Sequence, residues 1–240
     1  MDNMRLDKYL TLTLGISRKD AKDILKNRLV KVNGTIIKDS DYKVKDFDEV
    51  TYKDEAIHYE ENIYLMMNKP KGYVCSTDDK VNKTVFDLIN DYNTKRLMIV
   101  GRLDIDTTGL LLITSDGSFV HKLTSPNKSI DKKYYVRCDK PFNDEDVVKF
   151  KEGTIIYIEK DEPYKCKSAD LEILDDKCEA FITIHEGKFH QVKKMCASVG
   201  KGVLDLRRVK VGELELDYSL NEGCYRKLTD EELNIFKDVK

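Results

Sequence analysis

The chain reads as an α+β protein in two parts, a small α/β module over residues 1–58 and a mixed, largely antiparallel α+β domain over residues 62–240. Three observations predict this. Two amphipathic helical patterns followed by an Asn-Gly hairpin signal fall within the first forty residues. The stretch 53–61 is dense in charge and reads as a linker. Beyond it, short apolar runs bounded by turn residues alternate irregularly with helical patterns, which argues for a mixed sheet rather than a regular strand–helix–strand repeat.

Residues 4–14 place Leu6, Tyr9, Leu10 and Leu14 at helical spacing. Ser17, with Asp20 three residues on, opens a second helix whose apolar stripe is Ala21, Ile24 and Leu25. Asn33-Gly34 between β-branched residues predicts a hairpin, and Glu49–Tyr52 a closing strand. In the second part, Ile63–Met67 is a strand that Pro70 and Gly72 break into a loop, expected to hold Lys69 and Lys71 near the surface. Thr84 caps a helix carrying Val85, Phe86, Leu88 and Ile89. Strands at 97–100 and 110–113 flank the turn Gly101-Arg102-Leu103-Asp104-Ile105-Asp106-Thr107-Thr108-Gly109. A turn at Ser115-Asp116-Gly117 leads into a helix ending near Leu123. Strands follow at 133–138, 154–158, 169–174 and 179–184, with a helix around 143–151. After Gly187 a helix turns Val192, Met195 and Val199 inward and leaves Lys188, His190, Lys193 and Lys194 toward solvent or a site. Strands within 203–217 and a final helix capped by Thr229, with Leu233 and Phe236 packing, complete the chain.

With 240 residues, 40% hydrophobic and 36% charged, the chain can bury a full core, and no apolar run approaches the length of a membrane span. The N-terminus lacks the architecture of a signal peptide, so a cytoplasmic location is expected, with no membrane partner and a monomeric state. The six cysteines are scattered, with no Cys-x-x-Cys pair and no clustered histidines, so no metal site is expected. Neither a Walker loop nor Gly-x-Gly-x-x-Gly is present, and no cofactor is expected. The formal net charge of −2 looks wrong for a nucleic-acid binder until it is resolved along the chain. Residues 1–45 carry 11 basic against 6 acidic side chains and residues 186–212 carry 7 against 2, whereas residues 140–180 carry 7 against 12. Charge segregated in this way can build a basic face on a nearly neutral protein, unless the acidic and basic segments neutralise each other in space.

The turn around Asp104 puts two carboxylates and an arginine between two apolar strands, where a rigid loop holds charged groups in reactive geometry. The local pattern fits equally a hairpin turn whose Arg and Asp merely cap it. Asp104 and Asp106 as paired carboxylates of a hydrolase lack a second supporting motif. Asp106, with Thr107 and Thr108, is expected to hydrogen-bond the loop. In the first module Arg5, Lys8, Arg18, Lys19 and Lys22 lie on the helices or at their start, a basic surface suited to RNA.

Here the residues resemble known families. Arg5-Leu-Asp-Lys-Tyr-Leu10, Ser17-Arg-Lys-Asp-Ala21 and Val30-Lys-Val-Asn-Gly34 are similar to the S4-type RNA-binding domain, which implies recognition of structured RNA through a basic helix face. Lys69-Pro70-x-Gly72, the Gly101–Gly109 turn, Lys132-x-Tyr134, His190-Gln191-Val192-Lys193 and Leu206-x-Arg208-Val209 resemble the successive motifs of the pseudouridine synthases, in the RsuA-type branch, over essentially the whole chain. The resemblance implies isomerisation of one uridine in ribosomal RNA without a cofactor. It gives Asp104 the role of nucleophile or base toward the ribose, Tyr134 the role of stacking on uracil and assisting proton removal from C5, and Lys193 the role of cationic partner to Asp104. The target base must leave its stack to reach Asp104. Arg102 is expected to support the flipped nucleotide or lock the loop. Lys69, Lys71, Arg207 and Arg208 are expected to contact phosphate, with His190 and Gln191 also facing RNA. Large-subunit enzymes of the branch tend to carry Asn-Arg-Gln-Ile-Arg-Arg where this chain has Phe189-His-Gln-Val-Lys-Lys194, which points to 16S rather than 23S rRNA, naked or within an assembling subunit. A non-catalytic RNA-binding assembly factor is the alternative from another class, opposed by the intact Asp104, Tyr134 and Lys193 set.

Overall fold

The computed structural model describes residues 3–125, 128–158 and 162–237. It divides into two compact units, Met1–Ile63 with Ile89–Leu97, and Tyr64–Leu88 with Met98–Lys240.

The first unit runs β1 (Met4–Arg5), α1 (Leu6–Leu14), α2 (Arg18–Lys26), β2 (Val30–Val32), β3 (Thr35–Ile36), β4 (Lys43–Val44), β5 (Val50–Tyr52) and β6 (Glu55–Ala56). Helix α1 stops at Gly15, whose left-handed φ of 70° closes it, and α2 starts on a reciprocal Ser17–Asp20 capping box. The strands order as β3-β2-β5-β6, and β1 pairs separately with β4. Leu6, Leu10, Ala21, Leu25, Val30, Val32, Val44 and Val50 form the core. The stretch 53–61 is not a linker. It carries β6, and the Tyr9 hydroxyl ties it down, donating to the Ile57 carbonyl at 2.7 Å while accepting from the Tyr59 amide at 3.2 Å. Its charges sit on the exposed side of ordered backbone, a distinction that composition does not carry. Residues 89–97 also join this unit: the Asn93 amide donates to the Leu12 carbonyl at 3.1 Å and Lys95 to that of Gly15 at 3.1 Å.

The second unit continues with β7 (Tyr64–Lys69), a 3-10 turn at Val85–Leu88 where a helix was expected, β8 (Met98–Val100), β9 (Thr108–Thr114) and α3 (Gly117–Thr124). Then follow β10 (Lys132–Cys138), α4 (Asp144–Glu152), β11 (Ile155–Tyr157), β12 (Pro163–Lys165), β13 (Asp170–Ile173), β14 (Glu179–Ile184), α5 (Gln191–Ser198), β15 (Val203–Val211), β16 (Leu214–Glu215), β17 (Tyr225–Lys227) and α6 (Asp230–Asn234). The main sheet runs β13-β14-β10-β15-β9-β7-β17, with β8 beside β9 and β16 beside β15. All of its pairings are antiparallel except β9 with β15, so the fold is mixed and largely antiparallel, as the sequence predicts. Strands β11 and β12 form a separate ribbon. Every residue of β9 is buried, which explains its unbroken apolar reading. Met66, Leu110, Leu112, Phe119, Leu123, Val211 and Phe236 pack into one core.

Two backbone features shape the site. At the parallel junction, a Cβ on Gly109 would lie 2.3 Å from the Arg208 carbonyl oxygen, so only glycine fits there. Along β15, Tyr134 pairs with Arg208 but Lys133 pairs with Lys210, which leaves Val209 as an inserted bulge residue. The bulge resets the alternation, so Arg208 and Val211 both face the cavity lined by Lys132 and Tyr134. Among the described residues, no helix is long and apolar enough to cross a membrane.

Candidate active site

A cavity of about 370 Å³ opens in the second unit, with Asp104, Tyr134, Lys132, His190 and Arg208 among the residues lining it. Asp104 stands on the loop between β8 and β9, and the loop is held from below through its backbone. Lys69, at the end of β7, has no exposed surface. Its ammonium donates to the carbonyl oxygens of Thr107 at 2.9 Å, Asp104 at 3.0 Å and Pro70 at 3.0 Å, with that of Ile105 at 3.4 Å. The Gly72 amide adds a hydrogen bond to the Ile105 carbonyl at 2.8 Å, and the Thr107 amide closes the turn onto the Asp104 carbonyl at 3.1 Å. Burial drives the Lys69 pKa below its ordinary value, against the opposing pull of Cys75, Asp104 and Asp106. The expectation that Lys69 lies near the surface is corrected: Pro70 breaks the strand one residue later, leaving Lys69 inside as the clamp of the Asp104 loop.

Helix α5 and its N-cap residue supply the groups that face Asp104. Burial of Val192, Met195 and Cys196 fixes the helix and turns Lys193 toward the loop. The Lys193 ammonium lies 3.5 Å from Asp104 Oδ2 and 2.5 Å from Asp106 Oδ1. Asp106 is therefore more than loop support, being the nearer carboxylate to Lys193. Burial alone would raise the pKa of Asp106, but the hydrogen bond and charge of Lys193, with His190, carry it below its ordinary value. His190 caps α5 in the left-handed conformation, φ 54°, and puts Nε2 3.5 Å from Asp104 Oδ1. Its ring stacks on Phe189 with centroids 3.7 Å apart, and Phe189 is itself 59% exposed.

Gln191, expected to face RNA, is buried in the cavity wall, a second correction. Its carbonyl accepts from the Lys188 amide at 2.9 Å and its amide donates to Glu186 at 2.7 Å, closing the turn that presents His190. Glu186 also accepts from the Tyr164 hydroxyl at 2.6 Å, which pushes that phenol up to about 12.

Arg208 is the third correction. At 2% exposed it is no surface phosphate contact, because β15 lies mid-sheet and Arg208 points into the cavity. Its Nε donates to the Leu110 carbonyl at 2.8 Å, while Nη2 is buried without a hydrogen-bond partner. Tyr134 lies directly across from it on β10, and strand alternation takes Tyr135 to the opposite face, with its edge against Phe181. Arg102 is exposed at the cavity rim. Lys71 is half-exposed and paired with Asp205 at 2.8 Å, and Arg207 is partly buried with its Nη2 3.5 Å from the Asn68 carbonyl oxygen. In the first unit Lys8, Arg18, Lys19 and Lys22 are exposed, whereas Arg5 is engaged by Asp7 and Asp41. Lys132, quoted in the Lys132-x-Tyr134 motif but given no role there, also lines the cavity. The signal was present in its position, two residues before Tyr134 on a strand and so on the same face. Among the described residues, no cluster of three or more His, Cys, Asp or Glu side chains is arranged to hold a metal ion.

Comparison with known proteins places this geometry. The pattern of the family described as RNA pseudouridylate synthase matches residues 63–198, and that of the S4 domain matches residues 4–50. The chain is 41% identical over 231 residues to the ribosomal small subunit pseudouridine synthase A of Haemophilus influenzae, covering 96% of this chain and 98% of that one. It is 39% identical to the protein of the same name from Escherichia coli K12, over 96% of this chain and 98% of that one. It is also 39% identical to an uncharacterized RNA pseudouridine synthase of Aquifex aeolicus, over 98% and 96%. A crystal structure of a pseudouridylate synthase superposes with a TM-score of 0.68 at 40% identity, over 97% of this chain and 99% of that one.

Proposed function

The chain belongs to the RNA pseudouridylate synthase family, and we propose that it isomerises one uridine to pseudouridine in 16S rRNA of the small ribosomal subunit. The observation that carries the proposal is the Asp104 carboxylate, held on a backbone-clamped loop at the edge of a cavity and faced by Lys193 and His190. The reaction breaks the N1–C1′ bond, turns the uracil within the site and joins C5 to C1′, so a carboxylate must act at the ribose while the detached base is retained. Asp104 acts there, as nucleophile at C1′ or as base toward the sugar. Lys193 and His190 keep it directed, the ammonium of Lys193 balances its charge, and Asp106 positions Lys193. Tyr134 stacks on the base and assists removal of the C5 proton. Arg102, exposed at the rim, supports the nucleotide once it has left its stack. Lys8, Arg18, Lys19 and Lys22 contribute phosphate contacts from the S4 domain, and Lys71 and Arg207 contribute them beside the cavity.

The small-subunit assignment is supported by the names of the relatives and by Phe189-His-Gln-Val-Lys-Lys194 at the start of α5. Carbodiimide-adduct primer extension on rRNA from a deletion strain, complemented with wild type or Asp104→Asn, tests both parts. The expected result is a 16S stop that is lost on deletion and restored by wild type alone. A lost stop in 23S rRNA would overturn the substrate, and restoration by Asp104→Asn would overturn the role of Asp104.

A further inference from the structure

We propose that Arg208 and Lys132 form the receptor for the uracil ring, donating hydrogen bonds to its carbonyl oxygens and holding the negative charge the ring acquires when its glycosidic bond breaks. The inference rests on reading the cavity as the place where uridine is isomerised.

The argument starts from an imbalance. Arg208 is 2% exposed, lines the cavity, and has a buried Nη2 with no partner. Lys132 lines the same cavity, its ammonium donating to the Ile130 carbonyl at 2.8 Å. Among the described residues no carboxylate forms an ion pair with either: of the two on the cavity wall, Asp104 is turned to His190 and Lys193, and Glu186 accepts from Tyr164, the Lys167 amide and Gln191. Two desolvated cations on one sheet face repel each other, and an unused guanidinium N–H in the interior is costly. Burial first, and then Arg208, pull the Lys132 pKa down to about 8. An arrangement this unfavourable without ligand is relieved by a ligand that brings negative charge and acceptor oxygens.

The reaction itself supplies such a ligand. When N1–C1′ breaks with the electron pair staying on the base, the charge spreads over the ring and its O2 and O4 oxygens. When C5 bonds to C1′, the C5 proton leaves and N1 takes one up, so atoms and electrons balance with no co-reactant. Donors fixed in advance where charge develops lower the barrier without reorganising. A phosphodiester oxygen is the other source of this chemistry. The depth of Arg208, level with Tyr134 on adjacent strands, favours the flat edge of a ring stacked on that tyrosine.

The test is single-turnover isomerisation by the full-length protein on RNA carrying uridine, 2-thiouridine or 4-thiouridine at the target. Sulfur is a poorer acceptor at the same place, so at least one thio substrate should slow the wild type by roughly 10-fold or more. Arg208→Met should lower the saturated rate constant on uridine by roughly 100-fold, leave RNA affinity within about 3-fold, and show no further loss on that thio substrate. Equal wild-type rates on all three substrates would overturn the proposal. So would multiplicative losses in the variant, or weakened RNA binding with a normal saturated rate, which marks a phosphate contact. Should Arg208→Met not fold, the same comparison with Lys132→Met decides. A wild type that converts no uridine would instead sink the functional reading beneath it.

Discussion

Lys69 and Asp104 are three ångströms apart through the backbone and have opposite tasks, one to be buried and one to be presented. Replacing Lys69 by Met would leave the carbonyls of Pro70, Asp104 and Thr107 without their shared donor, a cost of about 1–3 kcal/mol. The loop would also lose its reference point, and small displacements of a reacting group cost heavily in rate. Urea denaturation together with turnover should therefore show modest destabilisation and a disproportionate loss of activity. For Lys132 the expected signature is in pH. Arg208, Asp131 and Glu186 are the charged groups that act on it, and its charge is lost as pH rises through about 8. Because folding lowers this pKa, the stability penalty is full below about 8 and fades toward 10.5, while the saturated rate should fall as pH rises through about 8. Lys132→Arg, which keeps its charge, should remove that descending limb of the pH–rate profile. At this scale the sequence announces residue type and motif order well. Asp104, His190 and Tyr134 line one cavity, and Lys193 stands 3.5 Å from Asp104. It announces burial poorly: Lys69 and Arg208 are polar letters whose interior partners are backbone carbonyls far along the chain, and Gln191 is buried against a glutamate five residues back.

The elements that carry these residues depend on one close approach. β9 and β15 pair in parallel through Thr108–Arg207 and Gly109–Arg208, and Gly109 has a φ of 98° as well as no room for a Cβ. Gly109→Ala should destabilise by about 3 kcal/mol or more, measured by thermal or chemical denaturation, because both backbone conformation and strand contact oppose it. An unchanged melting temperature would show that the parallel junction opens without cost. The long apolar strands and the capped helices were readable because periodicity and capping are local properties. The two-residue strands β1, β4 and β6 were not, since pairing at that length is imposed by the partner strand and not by propensity. The bulge at Val209 leaves no local mark either, yet it decides that Val211 and not Lys210 joins Arg208 on the cavity side.

For the whole molecule, a net charge of −2 conceals a first unit whose α1 and α2 display Lys8, Arg18, Lys19 and Lys22 to solvent. If these meet phosphate, reversing Arg18, Lys19 and Lys22 to Glu should weaken binding to every RNA alike and reduce the slope of log affinity against log salt by about 2–3. The saturated rate constant should change little, because the cavity belongs to the other unit. The order of motifs along the chain made the two-unit organisation legible, whereas the ordered state of 53–61 depended on the Tyr9 hydroxyl and could not be read from charge. The central claim is that Asp104 acts on the bound uridine. The most direct test is single-turnover isomerisation of the target RNA by purified Asp104→Asn, with RNA affinity measured on the same preparation. Product formation should fall below detection while affinity stays within about 3-fold of wild type, as expected when a group acting only in the transition state is removed. Isomerisation at a rate near that of wild type would contradict the account.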